Sequence, residues 1–274
     1  MQRFRRWGLI ALVLAAPLVA VPEVGAAAPT GPTVLARSAA STVVRDGAWV
    51  LRTYSTALAS PTVVTYRGRA VDGGCRYGGT ERVRPGAVPA GMVVVEREIG
   101  HDLSACRLRV ERGLAPAGSV GGADGRVVSR EAVPAGEVGP STRASAGAFH
   151  MTYYEDPIGI DVTSVQADIR WSYDWSCVTN SWDHIGHWGW YTPSGWVRDD
   201  YSVSAYRYCD GATTIVYGLF HNTPFCYPYP ATYNEYDVTV VKGQKDGSYW
   251  MQWNAYKWGG CNEMLSFHRT HGWI

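Results

Sequence analysis

Two carboxylate doublets, Glu155-Asp156 and Asp199-Asp200, are by residue type the groups best suited to general acid and base work. Glycoside hydrolysis by such groups needs two carboxyls about 5–9.5 Å apart across a cleft, one of them held protonated. Neighbours in a strand point to opposite faces, so each doublet by itself is expected to serve a turn or a strand edge. His184 and His187 form an H-x-x-H close to Asp174 and Asp183, and His268 and His271 form a second. Two neutral imidazoles with a carboxylate are a zinc ligand set. Gly186, Gly189 and Gly272 argue against the helix that would bring the rings to one face, so neither a metal nor a cofactor is expected. The sequence has no G-x-S-x-G, H-E-x-x-H, G-x-G-x-x-G or EF-hand loop, which lowers the prospect of an enzyme.

Between Cys177 and Cys209 lies the strongest binding signal: Trp182, Trp188, Trp190, Tyr191 and Trp196, interleaved with glycine and polar residues. Indole faces stack on the apolar faces of sugar rings while the ring N–H donates to a hydroxyl. The expected site is therefore an aromatic loop, clamped at its ends by a disulfide, that holds a polysaccharide or cell-wall polymer. The competing reading is that these rings fill the core of a domain poor in Leu, Ile and Phe. A second aromatic loop, Tyr227-Pro228-Tyr229-Pro230, follows Cys226 and is kept extended by its prolines.

The elements that must position these residues read as strands. From Val162 to Cys177, Val165, Ala167, Ile169, Trp171 and Tyr173 alternate with Gln166, Asp168, Arg170, Ser172 and Asp174, the period of a half-buried strand. Further strands are expected at 42–44, 48–54, 62–66, 92–99 and 106–113, then at 196–209, 213–220, 233–241, 249–258 and 264–268, punctuated by Gly, Pro and Asp turns. No segment shows a convincing helical period. The fold class expected is all-β, with an antiparallel β-sandwich or barrel-like C-terminal domain preceded by a smaller β-rich N-terminal region.

Composition sets the boundaries. Arg3, Arg5 and Arg6, the apolar run Gly8 to Val21 and the small residues Ala26 to Ala28 mark residues 1–27 as a secretory signal peptide. That run is shorter than the roughly 18 residues a spanning helix needs, so no membrane span is expected. Residues 28–113 are expected to form a small β-rich domain. Residues 114–147, rich in Ala, Gly, Pro and Ser and free of aromatics, read as a linker in which Val127, Val128, Ala132 and Val133 could still add a strand. Residues 148–274 form the aromatic-rich sandwich: ten of the twelve tryptophans and fourteen of the seventeen tyrosines lie beyond Phe149, so the larger core is placed there.

Six cysteines in an exported chain imply disulfides. Sequence alone leaves their pairing open, and sequential pairing, Cys75 with Cys106, Cys177 with Cys209 and Cys226 with Cys261, is favoured by their division between the halves. Residues 29–147 carry fifteen arginines against ten acids, and 150–274 carry seven Lys and Arg against thirteen acids, an asymmetry that would draw the halves together. The arginines are scattered singly, so no nucleic-acid partner is expected.

The layout also resembles a group of secreted actinobacterial proteins of unassigned function. The shared features are Gly73-Gly74-Cys75, a strand closing on Trp171-Ser172-Tyr173 with Cys177 following, and the Cys261 to His268 segment. The resemblance implies export and a β-rich, disulfide-bonded fold, and it carries no catalytic residues. The function expected is a secreted, non-catalytic module for a glycan or cell-wall polymer. The alternatives are a secreted hydrolase using Asp183, His184 and His187 or an acidic pair, and an extracellular interaction or inhibitor protein. Oligomeric state is not legible.

Overall fold

The computed structural model describes residues 31–119, 127–133 and 144–274. The expected signal peptide, 1–27, lies outside the described residues, as does half of the 114–147 segment. In chain order the strands are β1 (Thr33–Arg37), β2 (Ser41–Asp46), β3 (Trp49–Tyr54), β4 (Ala59–Arg67), β5 (Arg69–Val71), β6 (Gly74–Val83), β7 (Met92–Asp102), β8 (Arg107–Pro116) and β9 (Val127–Val133). They continue with β10 (Ala144–Glu155), β11 (Asp161–Tyr173), β12 (Val178–Trp190), β13 (Trp196–Tyr208), β14 (Gly211–Asn222), β15 (Thr232–Gln244), β16 (Tyr249–Gly259) and β17 (Ser266–Trp273). Among the described residues the only helical pieces are three short 3-10 turns, so the all-β class expected from the sequence is the class observed.

The strands make two antiparallel sheets that face each other. The larger runs β1-β2-β3-β7-β17-β10-β11-β12-β9, with β8 joined to β7 and β4 to β8; the smaller runs β13-β14-β15-β16-β6-β5. β11 shows why the sheets close. Its Val165, Ala167, Ile169 and Trp171 are fully buried, while Arg170 on the opposite face is exposed. Those apolar side chains meet the inward faces of β14 and β15, where Val216, Phe220, Tyr236 and Val241 are equally buried. Trp171 lies so close over Gly243 that a Cβ there would come within 2.2 Å of the indole, and its ring N–H donates to the Gln244 carbonyl at 3.0 Å.

The expected division into a 28–113 domain and a 148–274 sandwich does not describe the strand pairing. β6 pairs with β16, and β7 pairs with β17, so strands from both sides of residues 114–147 complete the same two sheets. Residues 31–274 form one compact unit. Within the expected linker, Leu114 to Pro116 end β8, Ala144 to Gly147 begin β10, and 127–133 form β9, which pairs with β12 as an edge strand. Low aromatic content there marks a sheet edge rather than a separator between cores. The charge asymmetry has a structural counterpart in ion pairs joining the early arginines to the late acids: Arg45 to Glu263 at 3.4 Å, Arg76 to Glu235 at 3.1 Å and to Asp237 at 3.0 Å, and Arg82 to Asp246.

The three sequential disulfides form, with Cα separations of 5.4, 4.4 and 5.7 Å, inside the usual reach of the bond. Such a set fits an oxidising, extracellular setting. No helix among the described residues is long and apolar enough to cross a membrane.

Part of the interior is charged. Arg269 on β17 grips Glu96 on β7 with Nε to Oε2 at 3.0 Å and Nη2 to Oε1 at 2.7 Å, and the Tyr66 hydroxyl donates to the same carboxylate at 3.0 Å. Two positions on, Glu98 faces Arg52 Nε at 3.4 Å, Lys257 Nζ at 3.7 Å, His101 Nδ1 and the Phe267 N–H at 3.0 Å. Burial alone would raise the Glu98 pKa, but Lys257, His101 and Arg52 outweigh it and hold the carboxyl well below its usual value. Burial in turn lowers Lys257 to about 8.

Candidate functional site

On the face of β7, β17 and β10 that points away from this charged interior, a cavity of about 620 Å³ opens. Its position follows from strand register. Arg97 pairs with His268, and His268 pairs with Tyr153, so these three side chains form one row across β7, β17 and β10. Glu155 lies two residues beyond Tyr153 on the same face, and Asp161 at the start of β11 is its direct cross-strand partner. A register shift between Tyr154 and Glu155 re-aims the end of this hairpin. Both carboxylates line the cavity.

The turn joining them is built by Asp156, whose carboxylate accepts the Ile158 and Ile160 N–H groups at 3.0 Å each. Gly159 takes φ +89°, a conformation open to glycine at no steric penalty. Asp156 is thus committed to the turn and Glu155 to the cavity. The sequence doublet separates as strand geometry requires, and the carboxylate beside Glu155 is Asp161 rather than Asp156.

Each polar group in the wall is held by its neighbours. The Arg97 guanidinium bonds the Glu111 carboxylate (Nε at 2.7 Å), the Thr56 hydroxyl at 3.1 Å and the Thr56 carbonyl at 2.6 Å, and it lies 4.4 Å above the Tyr54 ring. It therefore fixes residues 55–59, which form the cavity's lip. Leu58, Met92, Val95, Leu114 and Pro116 add apolar side chains to the lining. The Tyr54 hydroxyl donates to the Glu98 carbonyl at 2.9 Å, and the Ser266 hydroxyl to the Glu155 carbonyl at 3.4 Å. His268 Nε2 lies 3.3 Å from Tyr54 Oη and 3.1 Å from Ser266 Oγ. The His268 ring stacks on Tyr153 at 4.8 Å.

Electrostatics divide these groups. Burial, reinforced by Arg52, Arg97 and Lys257, lowers His268 to about 3 despite the attraction of Glu98, so it is neutral at ordinary pH. Glu155 moves the other way, raised to about 7 by burial first and by the neighbouring Asp161 and Asp156, against Arg52 and Arg97. The ring nitrogen nearest to it is His268 Nε2 at 3.9 Å. Among the described residues no side chain or backbone N–H donates a hydrogen bond to the Glu155 carboxyl.

The tryptophan segment is not a loop. Trp182, Trp188 and Trp190 belong to β12, Tyr191 sits on the short turn that follows, and Trp196 begins β13. Trp188 and Trp196 are buried in the core, and the Trp188 N–H donates to the Tyr217 carbonyl at 2.6 Å. Gly186, which reads as a loop residue, and Gly218, inside the expected strand 213–220, are where the Trp188 ring fits: a Cβ on Gly186 would meet it at 2.6 Å, and one on Gly218 at 3.2 Å. Trp182, Trp190 and Tyr191 are half-buried, and the Arg198 guanidinium covers Trp190 at 4.8 Å and Tyr201 at 3.6 Å. No flat platform of indole faces is left for a sugar chain.

The remaining candidates disperse as well. His184 bonds Thr214 and Ser181, each at 2.9 Å, while His187, on the opposite face of β12, bonds Asp168 at 2.7 Å. His268 and His271 likewise lie on opposite faces of β17, His271 bonding Tyr249 at 2.8 Å. Asp199 chelates the His221 Nδ1 at 2.7 and 2.8 Å, far in the fold from the cavity. Sequence reasoning did not single out Tyr54, Arg97 or Asp161. A signal for Asp161 exists: Asp156-Pro157-Ile158-Gly159 is turn chemistry, and a hairpin there sets Glu155 opposite Asp161.

No protein-family model, curated protein or solved structure matches the chain. Fold and site together define the class: a disulfide-bonded all-β sandwich with a carboxylate-lined cavity on one face of its larger sheet.

Proposed function

We propose that this is a secreted protein that binds a glycan or cell-wall sugar chain, and that the sugar sits in the cavity between Tyr54, Arg97, Glu155, Asp161 and His268. The observation that carries this reading is the mixed lining: the Glu155 and Asp161 carboxylates share the cavity with the apolar side chains of Leu58, Met92, Val95 and Leu114. A pyranose presents the matching pair of surfaces, hydroxyl edges and C–H faces. The volume is within the roughly 300–1,000 Å³ of small-ligand sites. Export directed by residues 1–27 would supply the oxidising compartment in which the three disulfides form.

The test is retention on a panel of insoluble polysaccharides and purified cell wall. Ala57 is exposed on the cavity lip, so Ala57→Trp fills the opening without touching the core. Retention should be lost in Ala57→Trp and kept in Trp190→Ala. A protein retained by no polymer, or retained equally after Ala57→Trp, overturns the proposal.

A further inference from the structure

We propose that the cavity also cleaves the sugar chain it binds, by retaining glycoside hydrolysis with Glu155 as proton donor and Asp161 as nucleophile. The proposal rests on the binding reading above and adds a reaction to it. Its basis is placement. Glu155 and Asp161 are direct cross-strand partners that line one cavity. The two are near enough for the Asp161 charge to act on Glu155, and a close pair of carboxyls, about 5–5.5 Å apart, is the arrangement that retaining glycosidases use.

A second, independent observation is that the Glu155 carboxyl, only 15% exposed, accepts no hydrogen bond among the described residues. A buried carboxyl without a donor is stable as the neutral acid and has its own O–H to give. Its value near 7, set by burial, Asp161 and Asp156 against Arg52 and Arg97, agrees with this. The groups facing it from the adjoining strands are Asp161 on β11, Arg52 on β3, Arg97 on β7 and His268 on β17. His268 is neutral, so it does not draw off the proton. Through its contacts with Tyr54 and Ser266 it acts as a positioning residue, keeping both in place beside the acid.

In the first step the Glu155 O–H protonates the glycosidic oxygen. The C1–O bond breaks with its electron pair going to that oxygen, which leaves as a hydroxyl, and an Asp161 carboxylate oxygen bonds C1. In the second step the Glu155 carboxylate takes a proton from water, the water oxygen bonds C1, and the C1–O bond to Asp161 breaks with its pair returning to the carboxylate. One water is consumed, both carboxyls end as they began, and nothing is oxidised or reduced.

The experiment uses the intact disulfide-bonded protein with reducing-end-labelled oligosaccharides of whichever polymer retains it, following released reducing ends and, by NMR, the anomer formed first. Product of retained configuration is expected, with turnover falling roughly 10²–10⁴-fold in Glu155→Gln. Asp161→Ala should likewise lose turnover, and azide should restore it by giving the glycosyl azide of inverted configuration. Circular dichroism and the thermal unfolding midpoint confirm that each variant is folded. A protein that binds but releases no reducing ends overturns the hydrolytic proposal and leaves the binding reading standing. Failure to bind any sugar overturns both. Full activity in Glu155→Gln overturns the assignment of the acid.

Discussion

The Glu155 carboxyl stands 3.9 Å from His268 Nε2, near enough to interact and too far for a hydrogen bond. The two groups are pushed in opposite directions by the same burial, the acid toward its protonated form and the imidazole toward its neutral form. Between about 3 and about 7 both members are uncharged, and each leaves its own mark on stability against pH.

Glu155 titrates at about 7 in the folded chain against 4.5 when unperturbed. Between those values the folded chain holds a proton that the unfolded chain has lost. The stabilisation from this site is thus full below the unperturbed value, declines as pH rises, and is gone once pH passes the folded value. The full swing is up to about 3 kcal/mol. Urea midpoints measured at pH 5 and pH 8 should show Glu155→Gln gaining on the wild type at the higher pH. Parallel profiles for the two proteins would mean that Glu155 titrates as an ordinary surface acid.

The buried histidines pull the other way. Burial, with Arg269 nearby, lowers His150 to about 3, and His268 shares that value for the reasons given above. Both are neutral in the folded chain and take up a proton on unfolding once pH drops below about 6.5. Their contribution is complete above that pH and is lost as pH falls toward 3. Each should remove about 2 kcal/mol by pH 5. Thermal unfolding between pH 7 and pH 5 should therefore show a falling midpoint, with a shallower fall in His150→Gln. An unchanged slope in that variant would count against a buried neutral imidazole.

Trp188→Ala should destabilise the protein by about 3–5 kcal/mol, because the indole is fully enclosed and hydrogen-bonded. Trp175, 66% exposed in the β11–β12 turn, should tolerate the same change within about 0.5 kcal/mol. Denaturant titrations of both variants check this contrast, and a mild effect of Trp188→Ala would return that ring to the list of surface contacts.

The legible parts of the fold were those in which side-chain period and covalent chemistry speak locally. β11 could be read because its apolar residues alternate without interruption, and the disulfides because cysteines near in sequence also end near in space. β12 could not be read, since Gly186 and Gly189 look like loop residues until the Trp188 ring is placed over its glycine neighbour. The domain boundary misled for a similar reason: a segment without aromatics turned out to be a sheet edge, and nothing local announces that β6 will join β16. The cavity lies at the limit of what sequence can offer. Glu155 and His268 stood out by residue type, whereas Tyr54 and Arg97 did not, and all four come from distant strands and meet only through register.

The centre of the larger sheet is the last of the described strands, because β17 is inserted between β7 and β10. The Phe267 N–H finds Glu98 across 169 positions of chain, and Arg269 finds Glu96 across 173. Until β17 emerges, β7 and β10 share no neighbour, two buried glutamates lack main partners, and the row bearing Tyr153 and Arg97 is split. The two parts of the larger sheet are consequently joined last, and folding dominated by such long closures is slow. A chain made from its amino end therefore joins the two parts of its larger sheet only when its last described strand is available.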